Sequence, residues 1–435
     1  VAMKRALALA LYLPARWRER WLPDDWLQRL GDTLQRREDV VRRLQWLFVG
    51  IYYVLLIVPA ILPRQAAPGH LFASLAGIAE MIFWGIWWPA VILVTLLFGQ
   101  FWCGVFCPDG ALTEAISRHG RGGKIPAWVR WPGWPLLAFS VVLSYEHLVN
   151  AYGSPRAILV SVGGASLLAW ICGYCFGRGK RVWCRYLCPA SSIFSLLSRC
   201  AIFHFKVNRE AWDAAPKPLP RAVDCPPLLD VRRLRSNEKC SMCGRCSGHR
   251  NAVQLSFRAP GSEILRMGEG EIRVFDAFAI CTVLIGVCYG AIHGREGWVS
   301  GLLHQSGVTG NALATLSLSL TALGLASVVA LALWAAGRGR RVVACHLAYS
   351  LIPLAGGGLF LGALEHSFRL LEEAGVAMEM LRRDVRLCVV VFAAIWAWRL
   401  GAQVLKQYRS DGFHAGELVH AGLIGGLALL YIFLP

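Results

Sequence analysis

Apolar runs long enough to cross a bilayer dominate this chain, and basic polar stretches separate them. The first predicted span is about 45–62, where Trp46 to Leu62 is almost wholly apolar and Pro63 stops it. Residues 70–81 predict a half-helix lying at the outer face, and a second span over about 82–101 carries Trp84, Trp87 and Trp88. Spans three and four cover about 134–149 and 156–177. Five more follow a polar stretch, at about 275–293, 311–335, 342–366, 385–404 and 415–434. The pattern predicts an all-α polytopic membrane protein with about nine transmembrane helices. It divides the chain into a basic interfacial segment (1–44), a four-helix membrane domain (45–177), a polar cytoplasmic segment (178–273) and a five-helix membrane domain (274–435).

Composition sharpens this. The chain has 435 residues, 56% of them hydrophobic, which excludes an ordinary soluble enzyme. Lys and Arg number 45 against 27 acids, a formal net charge of +18. With so many apolar spans, that charge fits loops beside anionic lipid, not nucleic acid. Nine crossings put the amino end, 102–133, 178–273, Arg338 to Arg341 and Lys406 to Arg409 on one side, cytoplasmic by the positive-inside rule. The expected location is a bacterial inner membrane. The loop 367–384 is a mild exception, with Arg369, Arg382 and Arg383 among four acids. At the start, Ala6 to Leu13 is apolar, but Pro14 to Arg18 follows where a signal peptide would need small residues. The reading there is an uncleaved interfacial segment with Trp17, Trp21, Trp26 and Leu27 at the membrane surface.

Fifteen cysteines cluster in short spacings, the habit of thiolate ligands in a reducing compartment. Cys103-Gly-Val-Phe-Cys107-Pro108 and Cys184-Arg-Tyr-Leu-Cys188-Pro189 are twin Cys-x3-Cys-Pro clips, each directly after a span. That ending is the tail of the bacterial iron–sulfur ligand run. The stretches 82–108 and 160–189 form a coarse repeat, so the clips are expected side by side on the cytoplasmic face. Cys103, Cys107, Cys184 and Cys188 supply four thiolates for one [4Fe–4S] cluster; an arrangement in which each clip serves two clusters stays open. Cys240-Ser-Met-Cys243-Gly-Arg-Cys246 is a second set. Its fourth ligand is not at position 250, which holds Arg250; Cys225-Pro226 is the first choice, with a three-iron cluster or a non-cysteine ligand as alternatives. His249 reads as a solvated histidine. Cys172 and Cys175 are reserve ligands with equal weight on simple helix-end packing. Cys200, Cys281, Cys288, Cys345 and Cys388 read as inert buried thiols. Zinc is the weaker alternative, because x3-Cys-Pro clips are not its pattern. The segment 178–273, with 18 basic and 8 acidic side chains, suits an anionic thiolate cluster. It is read as a small ferredoxin-like iron–sulfur segment.

These clips resemble those of the membrane polyferredoxins NosR, NapH and CcoG. NosR is nearest in wording, at Cys103 to Leu112 and at Trp183 to Pro189. The resemblance covers about 45–258. It implies quinol-linked electron transfer through cytoplasmic [4Fe–4S] clusters, with a partner redox protein. Two features depart from it: nothing here forms the flavin domain of NosR-like chains, and one ferredoxin run is present, incomplete, where two are usual.

Ionisable residues at span ends are the remaining candidates. Glu146 and His147, His293, and Glu365 with His366 close spans three, five and seven on the predicted outer side. They suit a quinol site, with Glu146 and His147 taking protons, or haem or copper ligation, or plain snorkelling to water. His346, His414, Glu417 and His420 lie toward the inner side, and Glu80 precedes span two. The expected function is electron transfer between quinol or quinone and a redox partner, through two [4Fe–4S] clusters. The alternatives are a copper reductase or assembly factor for a respiratory enzyme, and a cluster-bearing anchor subunit of a larger redox complex.

Overall fold

The computed structural model describes residues 24–62, 75–149, 151, 154–215, 223–293, 297–408 and 415–433. Among these, seven helices are long and apolar enough to cross a membrane: Glu38–Ile61, Leu75–Phe98, Pro155–Cys175, Val274–Ile292, Gly310–Ala336, Glu379–Gln407 and Ala415–Phe433. An eighth would be the pair Arg341–Ser350 and Ile352–Glu373, bent by 41° where Pro353 starts the second helix without a backbone N–H to donate. The expected third span is a helix, Trp134–Val149, of only 16 residues, about 24 Å at 1.5 Å per residue and short of a full crossing. The half-helix expected at 70–81 is instead, from Leu75 on, the start of one 24-residue span that ends at Phe98.

The chain forms two compact units that alternate along the sequence. The first comprises Val1–Tyr52, Val94–Pro135 and Ala165–Glu263. The second comprises Tyr53–Leu93, Leu136–Gly164 and Ile264–Pro435.

The first unit holds every cysteine of the two proposed ligand sets. Its polar part is closed by an antiparallel pair, β1 (Phe203–Val207) and β2 (Val253–Phe257), in register from Phe203 opposite Phe257 to Val207 opposite Val253. The chain between the strands makes a long excursion carrying Cys225, Cys240, Cys243 and Cys246. Helix Asp24–Arg36 lies on this assembly: Leu27 is buried with Phe205, Val253, Leu255, Cys240 and Met242, and the Trp26 ring meets Phe203 and Phe257 edge-on. Leu27, expected at the membrane surface, therefore packs on protein, whereas Trp26 meets the strands with one edge and stays exposed; Trp17 and Trp21 lie outside the described residues. An amphipathic helix buries its apolar stripe wherever apolar surface is offered, and β2 offers it.

A buried ionic cluster fixes the approach to Cys240. Glu263 accepts from Arg258 Nη1 at 2.6 Å, Ser236 Oγ at 2.6 Å and the Asn237 backbone N–H at 3.0 Å, with Arg199 3.4 Å away. Removing one partner from such a network strands buried charge, so Glu263→Ala is expected to cost about 3–5 kcal/mol. Thermal unfolding of the detergent-solubilised protein reads this, and a shift no larger than that of an exposed Glu210→Ala control would refute it.

The second unit is helical, and its tightest contacts fall at small residues. A Cβ on Gly286 would lie 2.6 Å from Ala322 O and one on Gly290 2.9 Å from Leu318 O, so Val274–Ile292 and Gly310–Ala336 meet backbone to backbone. Its buried histidines have polar partners. His346 contacts Tyr408 OH at 3.0 Å and Ile264 O at 2.8 Å, and His420 contacts Ser350 Oγ at 3.0 Å. Tyr349 donates to Asp276 at 2.9 Å. Three π-helical turns interrupt membrane-length helices, at Met81–Trp87, Leu159–Gly163 and Ile280–Val287.

Candidate iron–sulfur centre

The two clips fold alike. In each, a single helical turn (Phe101–Val105; Val182–Tyr186) precedes a longer helix (Pro108–His119; Pro189–Leu197), with the second cysteine as its N-cap and proline at its first position. Cys107 N and Phe106 N both donate to Trp102 O, and Cys188 N and Leu187 N both donate to Trp183 O. The chemistry follows from the cap. Proline has no N–H to waste at the first helical position, and the next N–H groups, of Asp109 and Gly110 or of Ala190 and Ser191, lie close to the sulfur. A thiolate there gains those donors and the positive helix end.

The four clip thiols lie within electrostatic reach of one another. Burial raises Cys103, and Cys107 and Cys188 raise it further; burial, Cys107 and Cys188 do the same to Cys184. Cys107 is pushed up to about 11 and Cys188 to about 12, each chiefly by burial. Four buried thiols that resist ionisation together become thiolates when metal displaces their protons. Asp109, raised to about 6 by burial, accepts from Ser166 Oγ at 2.7 Å beside them.

The second set also comes together. Cys225, Cys240, Cys243 and Cys246 line one small cavity, walled by Phe205, Pro226, Val231 and Leu234. Cys225 and Cys240 are raised by burial to about 11 and 12, and Cys246 by burial and then by the other three thiols. Cys225 thus stands where a fourth ligand would be needed, whereas His249 packs against the Trp212 ring. Among the described residues, no three His, Cys, Asp or Glu side chains converge as they would on a single ion. Thiols at the corners of a cube stand apart by the width of the cube, so a four-thiol cavity of this kind fits a cluster. Cys172 packs with Trp183 in an apolar patch that also touches Cys184 and Cys188.

Both sets lie side by side within the first unit. Gly104, inside the first clip, is pressed on the second run: a Cβ there would be 2.0 Å from Ser241 O and 2.9 Å from Cys243 N. From the other clip, Arg181 N donates to Pro226 O at 2.9 Å and Arg185 Nη1 to Pro227 O at 3.3 Å, while Lys180 pairs with Asp224. Glu114 accepts from Arg181 Nε at 2.9 Å and from Arg245 and Arg118 at 2.8 Å each. Burial opposes its charge, but Arg181 and Arg245 prevail and hold it at about 2. Sequence reasoning missed Gly104, Glu114 and Arg181. The one available signal was the repeat itself, which places Arg181 where Gln100 stands, three residues before the clip.

A family profile described as a 4Fe–4S binding domain matches residues 80–126 and 161–210. Each matched block contains one clip. The match supports an iron–sulfur cluster at the clips, and with the seven membrane-length helices it makes this a membrane iron–sulfur protein. The chain is 26% identical over 184 residues to YccM of Escherichia coli (strain K12), a protein named for a candidate role in electron transport; the alignment covers 36% of this chain and 50% of YccM. It is 22% identical over 191 residues to the uncharacterized protein MJ0750 of Methanocaldococcus jannaschii, covering 38% of this chain and 75% of that protein. The alignment thus spans only half the length of YccM. No solved structure matches.

Of the acid–base candidates, Glu146 is buried, beside Ser161 of a π-helical turn. Glu80 and His366 form a pair at 3.3 Å, and Glu365 is held by Arg386 at 3.2 Å. The side chains of His147 and His293, and all of His414, lie outside the described residues.

Proposed function

We propose that this chain carries electrons between membrane quinol or quinone and a partner redox protein, through two [4Fe–4S] clusters. Cys103, Cys107, Cys184 and Cys188 hold one cluster, and Cys225, Cys240, Cys243 and Cys246 the other. The observation that carries this reading is the backbone contact of the first clip with the Cys240 run at Gly104, with four cysteines gathered in each set. When bound, such clusters accept and release single electrons; the protein supplies their position and surroundings. Arg181, Arg245 and the capped helix ends offset the charge of the thiolates. The polar loops that hold both sets are the strongly basic ones, which favours the cytoplasmic side of a bacterial inner membrane.

Glu146 and His147 take the protons released by quinol. Glu146 is buried, and π-helical turns such as Leu159–Gly163 recur at functional sites. The name of YccM supports electron transport as the role of the clusters. The test is stopped-flow reduction of the clusters by a short-chain quinol under anaerobic conditions. Glu146→Gln with His147→Gln is expected to slow quinol reduction about 100-fold while dithionite still reduces the clusters fully. An unchanged quinol rate would remove the assignment. Reoxidation by Cu(II) with no response to quinol would favour the copper-reductase reading.

A further inference from the structure

Among the described residues Arg181 is the largest fully buried side chain, 1% exposed, and it touches the ligand-bearing segments of both thiol sets. Its Nη1 donates to Cys103 O at 2.8 Å and its own backbone N–H to Pro226 O at 2.9 Å, beside Cys225. Its guanidinium packs on Gly110 at the N-terminal turn capped by Cys107, where a Cβ would meet Nη1 at 3.1 Å. Cys184 lies one helical turn along from it, and Cys243 faces it electrostatically from the second set. Nε is taken by Glu114, but Nη2 is buried with no partner. An unpartnered charged donor in the interior costs free energy, so a guanidinium kept in that state implies an acceptor that these side chains do not provide.

We propose that Arg181 is a positioning residue shared by both clusters: its Nη2 donates to a sulfur at the junction of the two sites, and that donated hydrogen bond raises the reduction potential of both. This rests on the two-cluster reading above. Arg is suited to the place because it stays charged when buried and presents several donors in a fixed plane, which lysine does not. Glu114, held also by Arg118 and Arg245, pairs with Nε and keeps the Arg181–Glu114 pair near neutral overall. A hydrogen bond donated to a cluster sulfur favours the more negative, reduced form, so removing the donor lowers the potential.

The test is potentiometric titration of the full anaerobically purified chain, followed by EPR, with iron counted for every variant. Arg181→Met combined with Glu114→Gln removes the buried pair without stranding a carboxylate. It is expected to move both midpoint potentials downward with iron retained. Arg181→Lys keeps the charge and loses the fork, and is expected to move both by less. Arg245→Gln, which faces Cys243 of the second set, is expected to move that set's signal more than the clip signal. If the neutral pair leaves either potential where it was, the proposal is overturned. Should that variant lose iron, Arg181→Lys decides: unmoved potentials overturn the proposal. Fewer than two cluster signals in the unsubstituted protein would overturn the two-cluster reading, and the proposal with it.

Discussion

Cys225→Ser is expected to dismantle or convert the second cluster while leaving the clip cluster intact. Cys240, Cys243 and Cys246 form a tight local run, and three thiolates leave one corner of a four-iron cube unheld. Cys225 lines the same cavity as those three, and the hydrogen bonds from Arg181 and Arg185 to Pro226 and Pro227 hold its neighbours against the second clip. Iron content should fall by as much as half, with one EPR signal lost or changed to a three-iron type and the other unaltered. His249→Gln, whose ring packs tilted against Trp212, should change neither. Full iron and two unaltered signals in Cys225→Ser would transfer the ligand role elsewhere.

The second large effect concerns no ligand at all. Gly104→Ala puts a methyl 2.0 Å from the Ser241 carbonyl and 3.0 Å from Cys243 Cα, and both obstacles are backbone. Neither can rotate away, so the clip and the second run must separate. The cost is expected at the upper end of overpacking penalties, about 3 kcal/mol. Thermal unfolding in detergent gives the size, and iron occupancy of the second set gives the consequence. Gly164→Ala, with nothing within 4 Å of its Cβ, is the matched control. Equal stability of the two variants would mean the clips do not pack on the Cys240 run.

These two residues show what could be read from sequence and what could not. The cysteine clips were legible because cluster ligation imposes local spacing and a proline directly after the final thiolate. Cys225 stood out for the same reason, as a third cysteine–proline pair. Gly104 was present in the motif, but its partner is at Ser241, more than a hundred residues away, and no local rule connects them. Arg181 and Glu114 are likewise joined only by folding. Counting spans from apolar runs succeeded for the long helices. It failed at Trp134–Val149, where hydropathy is high but length is not, and at Pro353, where a bend divides one apolar run into two helices. The burial of Leu27 shows a further limit: an amphipathic stripe says that a face will be covered, not by what.

The central claim is that two four-thiolate sets in one unit each hold a four-iron cluster. It is tested most directly by assaying iron and acid-labile sulfide in the anaerobically purified protein. The account predicts about eight irons and eight sulfides per chain. About four of each would leave one thiol set without a cluster, and zinc in place of iron would contradict the electron-transfer reading altogether.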